Sequence, residues 1–137
     1  MLLDDARVKV LALDYGSART GIAVSDPTGT LARPLGVVER AATEDGLAEL
    51  ARLAREQGVE RIVVGLPLTL RGERGEQAAE TGRFVETLRR AVEVPVELYD
   101  ERFTTDLAQQ TAGTAPEDAL AAAHLLSTYL EWCAARS

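Results

Sequence analysis

Val8–Ser25 reads VKVLALDYGSARTGIAVS. Val8–Leu13 (VKVLAL) is a strong β run that ends at Asp14. Tyr15–Thr20, with Gly16 inside it, is a turn, and Gly21–Ser25 (GIAVS) is a second strand. Two strands joined by so short a turn pair antiparallel, as a hairpin. Asp26-Pro27-Thr28-Gly29 closes the second strand with turn chemistry, and Leu35–Glu39 (LGVVE) reads as a third strand on the edge.

Beyond the hairpin the period changes. Thr43 can cap a helix whose first turn holds Glu44 and Asp45, with Leu47, Leu50, Ala51 and Ala54 on its buried face and Gly58 as its stop. Arg61–Val64 (RIVV) is a short continuous apolar run of the kind found in central parallel strands, ended by Gly65-Leu66-Pro67. Leu70–Gly75 is a loop. Glu76–Ala91 is a second helix with Thr81, Phe84, Val85 and Leu88 on one face, and Val94–Leu98 is the last strand, with Pro95 near its start. A short helix is expected near Asp106–Ala112, broken by Gly113-Thr114-Ala115-Pro116. A final helix runs from Glu117 to about Cys133 with the stripe Ala119, Ala122, Ala123, Leu126, Tyr129, Leu130 and Cys133. The order β-β-β-α-β-α-β-α-α predicts an α/β protein. Its five-strand sheet is mixed: three antiparallel strands, then two strands parallel to the first, flanked by helices. No repeat, linker or low-complexity tract divides the chain, so residues 1–137 are expected to form a single domain.

Composition narrows the class. With 46% hydrophobic and 27% charged residues the chain is neither disordered nor fibrous. No apolar run approaches the ~20 residues that span a bilayer, and Met1–Val10 carries charges where a secretory signal has an apolar core. Cys133 is the lone cysteine, which excludes an intrachain disulfide and a zinc cluster. A cytoplasmic protein is expected. The formal net charge of −7 argues against a nucleic-acid partner, because phosphate binders are usually basic. Lys9 is the only lysine among fifteen cations; the rest are arginines, whose planar donor fork suits phosphate.

Carboxylates at strand ends are the first candidates for chemistry. Asp14 ends the first strand and Glu101 follows the last; if the two strands are parallel, both sit at the edge where open α/β sheets bind ligands. Asp118, at the start of the final helix, completes a cluster if that helix packs beside the first strand. Three converging carboxylates repel one another and call for cations, and hard oxygen donors favour Mg²⁺ or Mn²⁺. Each also has a plainer role: Asp14 as a turn former, Glu101 as a partner of Arg102, Asp118 as an acid suited to a helix start. Asp26 belongs at the far end of the sheet, and Asp100 alternates with Glu101 and should face the other way. His124 is six residues past Asp118, about 240° around the helix, and faces away from it. Cys133 belongs to the core. Amides of Gly65-Leu66-Pro67, and amides and hydroxyls of Thr104 and Thr105 before a helix, could face phosphate; a strand-end turn and an N-cap are their plainer readings.

Four segments taken in order, LALDYGSARTGIAVSD (Leu11–Asp26), VGLPLTLRGERG (Val64–Gly75), DERFTT (Asp100–Thr105) and DALAAAHLLSTYL (Asp118–Leu130), resemble the YqgF/RuvX family. These are pre-16S ribosomal RNA nucleases, also described as Holliday-junction resolvase-like proteins. The resemblance implies a ribonuclease H-like fold and a metal-dependent nuclease whose acidic triad maps to Asp14, Glu101 and Asp118. On a two-metal scheme Asp14 would bridge two Mg²⁺ or Mn²⁺ ions, with Glu101 and Asp118 each holding one. Arg19, Arg71, Arg74 and Arg102 are the cations nearest that edge and would position phosphates. The family often has Lys-Arg where this chain has Ala18-Arg19, and a basic loop where it has Ala112–Glu117 (AGTAPE), which implies few phosphate contacts.

The implied reaction is phosphodiester hydrolysis in 5′-end processing of precursor 16S ribosomal RNA. Resolution of branched DNA in recombination is the alternative on the same residues, and it calls for a homodimer to make paired cuts. A non-catalytic ribosome-assembly factor is the alternative of another class; an inert fold would gain nothing from three clustered acids. A sugar-kinase or actin-type phosphotransferase also uses an Asp-x-Gly turn but needs two such domains.

Overall fold

The computed structural model describes residues 8–66, 75–100 and 116–136. The chain runs β1 (Val10–Asp14), β2 (Arg19–Ser25), β3 (Ala32–Glu39), α1 (Glu44–Gln57), β4 (Arg61–Leu66), α2 (Glu76–Ala91), β5 (Val96–Asp100) and α3 (Glu117–Arg136). The five strands form one sheet in the order β3-β2-β1-β4-β5. β1 pairs antiparallel with β2, and β2 with β3; β1 pairs parallel with β4, and β4 with β5. This is the mixed sheet the periodicity predicts, with β3 on its edge. The helix expected near Asp106–Ala112 lies outside the described residues.

Strand alternation divides the core between two faces. Leu11, Leu13, Ile22, Val24, Ile62, Val64 and Val96 point to the face covered by Leu50 and Ala54 of α1 and Phe84, Val85 and Leu88 of α2. Val10, Ala12, Ala23, Val63 and Tyr99 point to the face covered by α3 through Ala122, Leu125, Leu126, Tyr129, Leu130 and Cys133. β1 and β4 are buried on both faces, which is why their sequences read as continuous apolar runs. α3 buries Leu125 as well as the predicted stripe, of which Ala123 is only half-buried, and Cys133 is core. His124 is half-buried, off the main stripe.

Boundaries moved where proline or a strand end blurred the pattern. β5 starts at Val96, after Pro95, whose carbonyl accepts the Ile62 amide at 2.9 Å. β3 begins at Ala32 instead of Leu35: its pairing with β2 slips between Ile22 and Ala23, opposite Pro34 and Gly36. Proline is tolerated there because an edge strand has unpaired amides to spare.

α3 is also tied to the sheet by polar contacts. Tyr129, fully buried, donates its hydroxyl proton to Glu97 Oε1 at 2.5 Å and accepts from Arg61 Nη1 at 2.8 Å. Burial, then the Glu97 carboxylate, push the phenol pKa up, so it stays a neutral donor.

Asp26 lies at the far end of β2 from Asp14 and organises the β2–β3 turn. Its carboxylate accepts from Thr28 Oγ1 at 2.6 Å and from the amides of Thr30 and Leu31 at 2.9 and 3.0 Å. These bonds, Thr28 first, hold its pKa down to about 2, against an ordinary 3.8. A folded pKa below the unfolded one contributes stability that is complete above the ordinary value and is lost as pH falls through about 2. Carboxyl-detected NMR titration should give Asp26 a midpoint near 2. A midpoint at the ordinary value would remove it from the turn.

Candidate active site

Asp14 is the last residue of β1, at the carboxyl edge shared by the parallel strands β1, β4 and β5. Alternation with Val10 and Ala12 puts it on the α3 face. The residues on either side hold it there. Leu13 is buried on the opposite face, and Tyr15 stacks on Phe84 of α2 with ring centroids 4.3 Å apart. The Tyr15 hydroxyl donates to Glu80 Oε2 at 3.3 Å; burial and that carboxylate raise its pKa and keep it protonated. The backbone of Asp14 is thus clamped between β2 and the α2 layer, leaving its carboxylate half-buried at the sheet edge.

Gly21 brings the second acid alongside. It is the register partner of Asp14 across the β1–β2 ladder. A Cβ built on Gly21 would lie 1.8 Å from the carbonyl oxygen of Asp118 and 3.1 Å from the amide nitrogen of Ala119. The first turn of α3 therefore rests directly on the Gly21 backbone, and Asp14 and Asp118 are both its neighbours. Small residues continue along this contact: Ala23 follows Gly21 on the same face of β2, and Ala119 and Ala122 line α3. Asp118 and Glu117 sit at the positive end of the α3 dipole. Arg19, the first residue of β2, reaches Asp118 with Nε 3.2 Å from Oδ2.

Of the predicted site residues, Asp14, Asp118 and Arg19 come together. Glu101, Arg71, Arg74, Arg102, Thr104 and Thr105 lie outside the described residues. Among the described residues no three His, Cys, Asp or Glu side chains form a metal-sized group. Asp14 and Asp118 are both neighbours of Gly21, and Arg19 supplies a positive charge to Asp118. Asp100 alternates with Tyr99, which faces α3, and so belongs to the opposite face as expected. Sequence reading missed Gly21 as a seat for α3. Its signal was the run of small residues at alternate positions, Gly21, Ala23 and Ser25, facing a helix rich in alanine.

The sheet order, the helical layers on both faces and the acids at the carboxyl edge of β1 define a ribonuclease H-like α/β protein. Solved structures with this fold include RuvC of T. thermophilus in complex with a Holliday junction substrate (TM-score 0.61, 19% identity, 91% of this chain and 96% of that one). Another is the fowlpox virus resolvase with Holliday junction DNA (TM-score 0.53, 12% identity, 90% and 97%). At those identities the likeness is one of fold.

The chain belongs to the RuvX family, described as Holliday junction resolvase, whose model matches residues 8–132. Relatives named "Putative pre-16S rRNA nuclease" include one from Chloroflexus aurantiacus, 44% identical over 131 residues (89% of this chain, 86% of that protein). One from Rubrobacter xylanophilus is 45% identical over 131 residues (90% and 92%). No helix among the described residues is long and apolar enough to cross a membrane.

Proposed function

We propose that this protein is a divalent-metal-dependent nuclease that hydrolyses phosphodiester bonds in precursor 16S ribosomal RNA, in the cytoplasm, through Asp14, Glu101 and Asp118. The observation that carries the reading is the seating of Asp118 on Gly21, the register partner of Asp14, at the carboxyl edge of the parallel strands. Asp14 and Asp118 would hold Mg²⁺ or Mn²⁺, with Glu101 as the third ligand. The bound metal would supply a water activated near neutral pH and charge stabilisation at the scissile phosphate. The chain itself orients the carboxylates: Tyr15 and Leu13 fix Asp14, and the contact with Gly21 fixes Asp118. Arg19 is the described cation beside the site; Arg71, Arg74 and Arg102, with Thr104 and Thr105, are proposed phosphate contacts.

The family description favours branched DNA as the second substrate, which would require a homodimer to cut in pairs. A side-by-side assay on precursor 16S RNA and a synthetic four-way junction, in Mg²⁺ and Mn²⁺ and with EDTA, tests both. Cleavage is expected on the RNA, at its 5′ side, and only with metal. Cleavage of the junction alone would move the assignment to DNA; undiminished cleavage in EDTA would end the metal reading. With a net charge of −7, RNA binding should require the divalent ion and fall only gently with monovalent salt.

A further inference from the structure

The ion pair between Arg19 and Asp118 bears on how the proposed metal site loads, and the inference rests on that site. Arg19 opens β2, two residues before Gly21, so both residues share the face on which α3 rests. Its Nε lies 3.2 Å from Oδ2 of Asp118, while its side chain remains 64% exposed and that of Asp118 34% exposed. Acidic residues flank both partners, Glu117 beside Asp118 on α3 and Glu39 opposite Arg19 in the β2–β3 register, while Arg40 follows Glu39 and donates its amide to the Ala18 carbonyl. The guanidinium therefore stands where positive charge is needed, and it holds a carboxylate oxygen that a divalent ion would take.

We propose that Arg19 is a built-in countercharge that a divalent ion displaces from Asp118. In the metal-free protein it offsets the repulsion between Asp118 and its acidic neighbours and keeps the start of α3 seated. An exposed pair of this kind is weak and readily exchanged, so a doubly charged ion held by two or three carboxylates outcompetes it. Displacement leaves a guanidinium beside the site with its donor fork free for a phosphate. The metal then does more than bind: it converts Arg19 from a partner of the protein into a partner of the substrate. The chain can thereby be stable without metal and avid for nucleic acid only with it.

The test is calorimetric titration of Mn²⁺ into the nucleic-acid-free protein. Arg19→Gln removes the competitor and should bind Mn²⁺ about three- to tenfold more tightly, the size expected for one charge a few ångströms away in a watery site. Arg90→Gln, which makes the same change in net charge at an exposed position on α2, should leave affinity within about twofold. Asp118→Asn should weaken binding and abolish the gain from Arg19→Gln. Equal or weaker binding by Arg19→Gln, or an equal gain from Arg90→Gln, overturns the countercharge; if Asp118→Asn still weakens binding, the metal site survives that failure. Absence of Mn²⁺ uptake by both the unaltered protein and Arg19→Gln overturns both.

Discussion

Gly21→Ala is expected to unseat the start of α3 and to cost the protein both stability and metal affinity. The added methyl would have to occupy space 1.8 Å from the Asp118 carbonyl oxygen and 2.3 Å from its carbon. Both are backbone atoms, so no side-chain rotation can relieve the clash, and the helix must lift by more than an ångström. Overpacking of this kind costs about 1–3 kcal/mol, and more where rigid elements meet. β2 is buried here on both sides of the contact, and α3 is held farther along by Tyr129, so the strain falls on the first turn. That turn carries Asp118. Mn²⁺ affinity should fall at least about tenfold, the equivalent of about 1.4 kcal/mol, because one proposed ligand is moved away from the other. Gly36→Ala is the matched control, since a Cβ there meets nothing within 4 Å. Urea denaturation and Mn²⁺ calorimetry on the two variants should separate them, and a Gly21→Ala protein as stable and as avid as the unaltered one would refute the close seating of α3.

That contact marks the limit of what the sequence discloses. Element order was legible because burial imposes period: β1 and β4, covered on both faces, read as unbroken apolar runs, and α1 and α2 show one apolar side each. The places of two of the acids were legible too: Asp14 ends a strand and Asp118 begins a helix. The depth at which α3 sits was not legible. It depends on a glycine on one element meeting a backbone carbonyl on another distant in sequence, and the small residues Gly21, Ala23 and Ser25 signal a close approach without naming the turn that makes it. Arg19 shows the same limit. As a sequence feature it is a cation near a phosphate site; its partner, Asp118, is fixed by the register of α3 against β2. The start of β3 was not legible either: the strand begins at Ala32, three residues before the apolar run at Leu35, and carries Pro34, which an edge position accepts.

Asp14→Asn should produce the opposite pattern from Gly21→Ala: chemistry lost, fold kept. Asparagine has almost the volume of aspartate and can keep one oxygen acceptor in place, so the β1–β2 ladder, the Tyr15–Phe84 stack and the α3 contact have no reason to move. Only the negative charge goes. Stability should stay within about 1 kcal/mol of the unaltered protein, as for other carboxylates at a half-exposed edge. The effect on catalysis is large because the clamped backbone fixes the direction of the carboxylate, so its charge acts at full strength on a bound cation. Loss of about 4 kcal/mol of transition-state stabilisation corresponds to a fall in cleavage rate of about a thousandfold. Single-turnover cleavage of precursor 16S RNA and of a four-way junction in Mn²⁺, with urea denaturation of the same preparations, measures both quantities. Asn at position 14 cleaving as fast as Asp on both substrates would remove Asp14 from the chemistry. A slow enzyme with an intact unfolding curve would assign the loss to the missing charge, since a displaced helix would lower the curve as well.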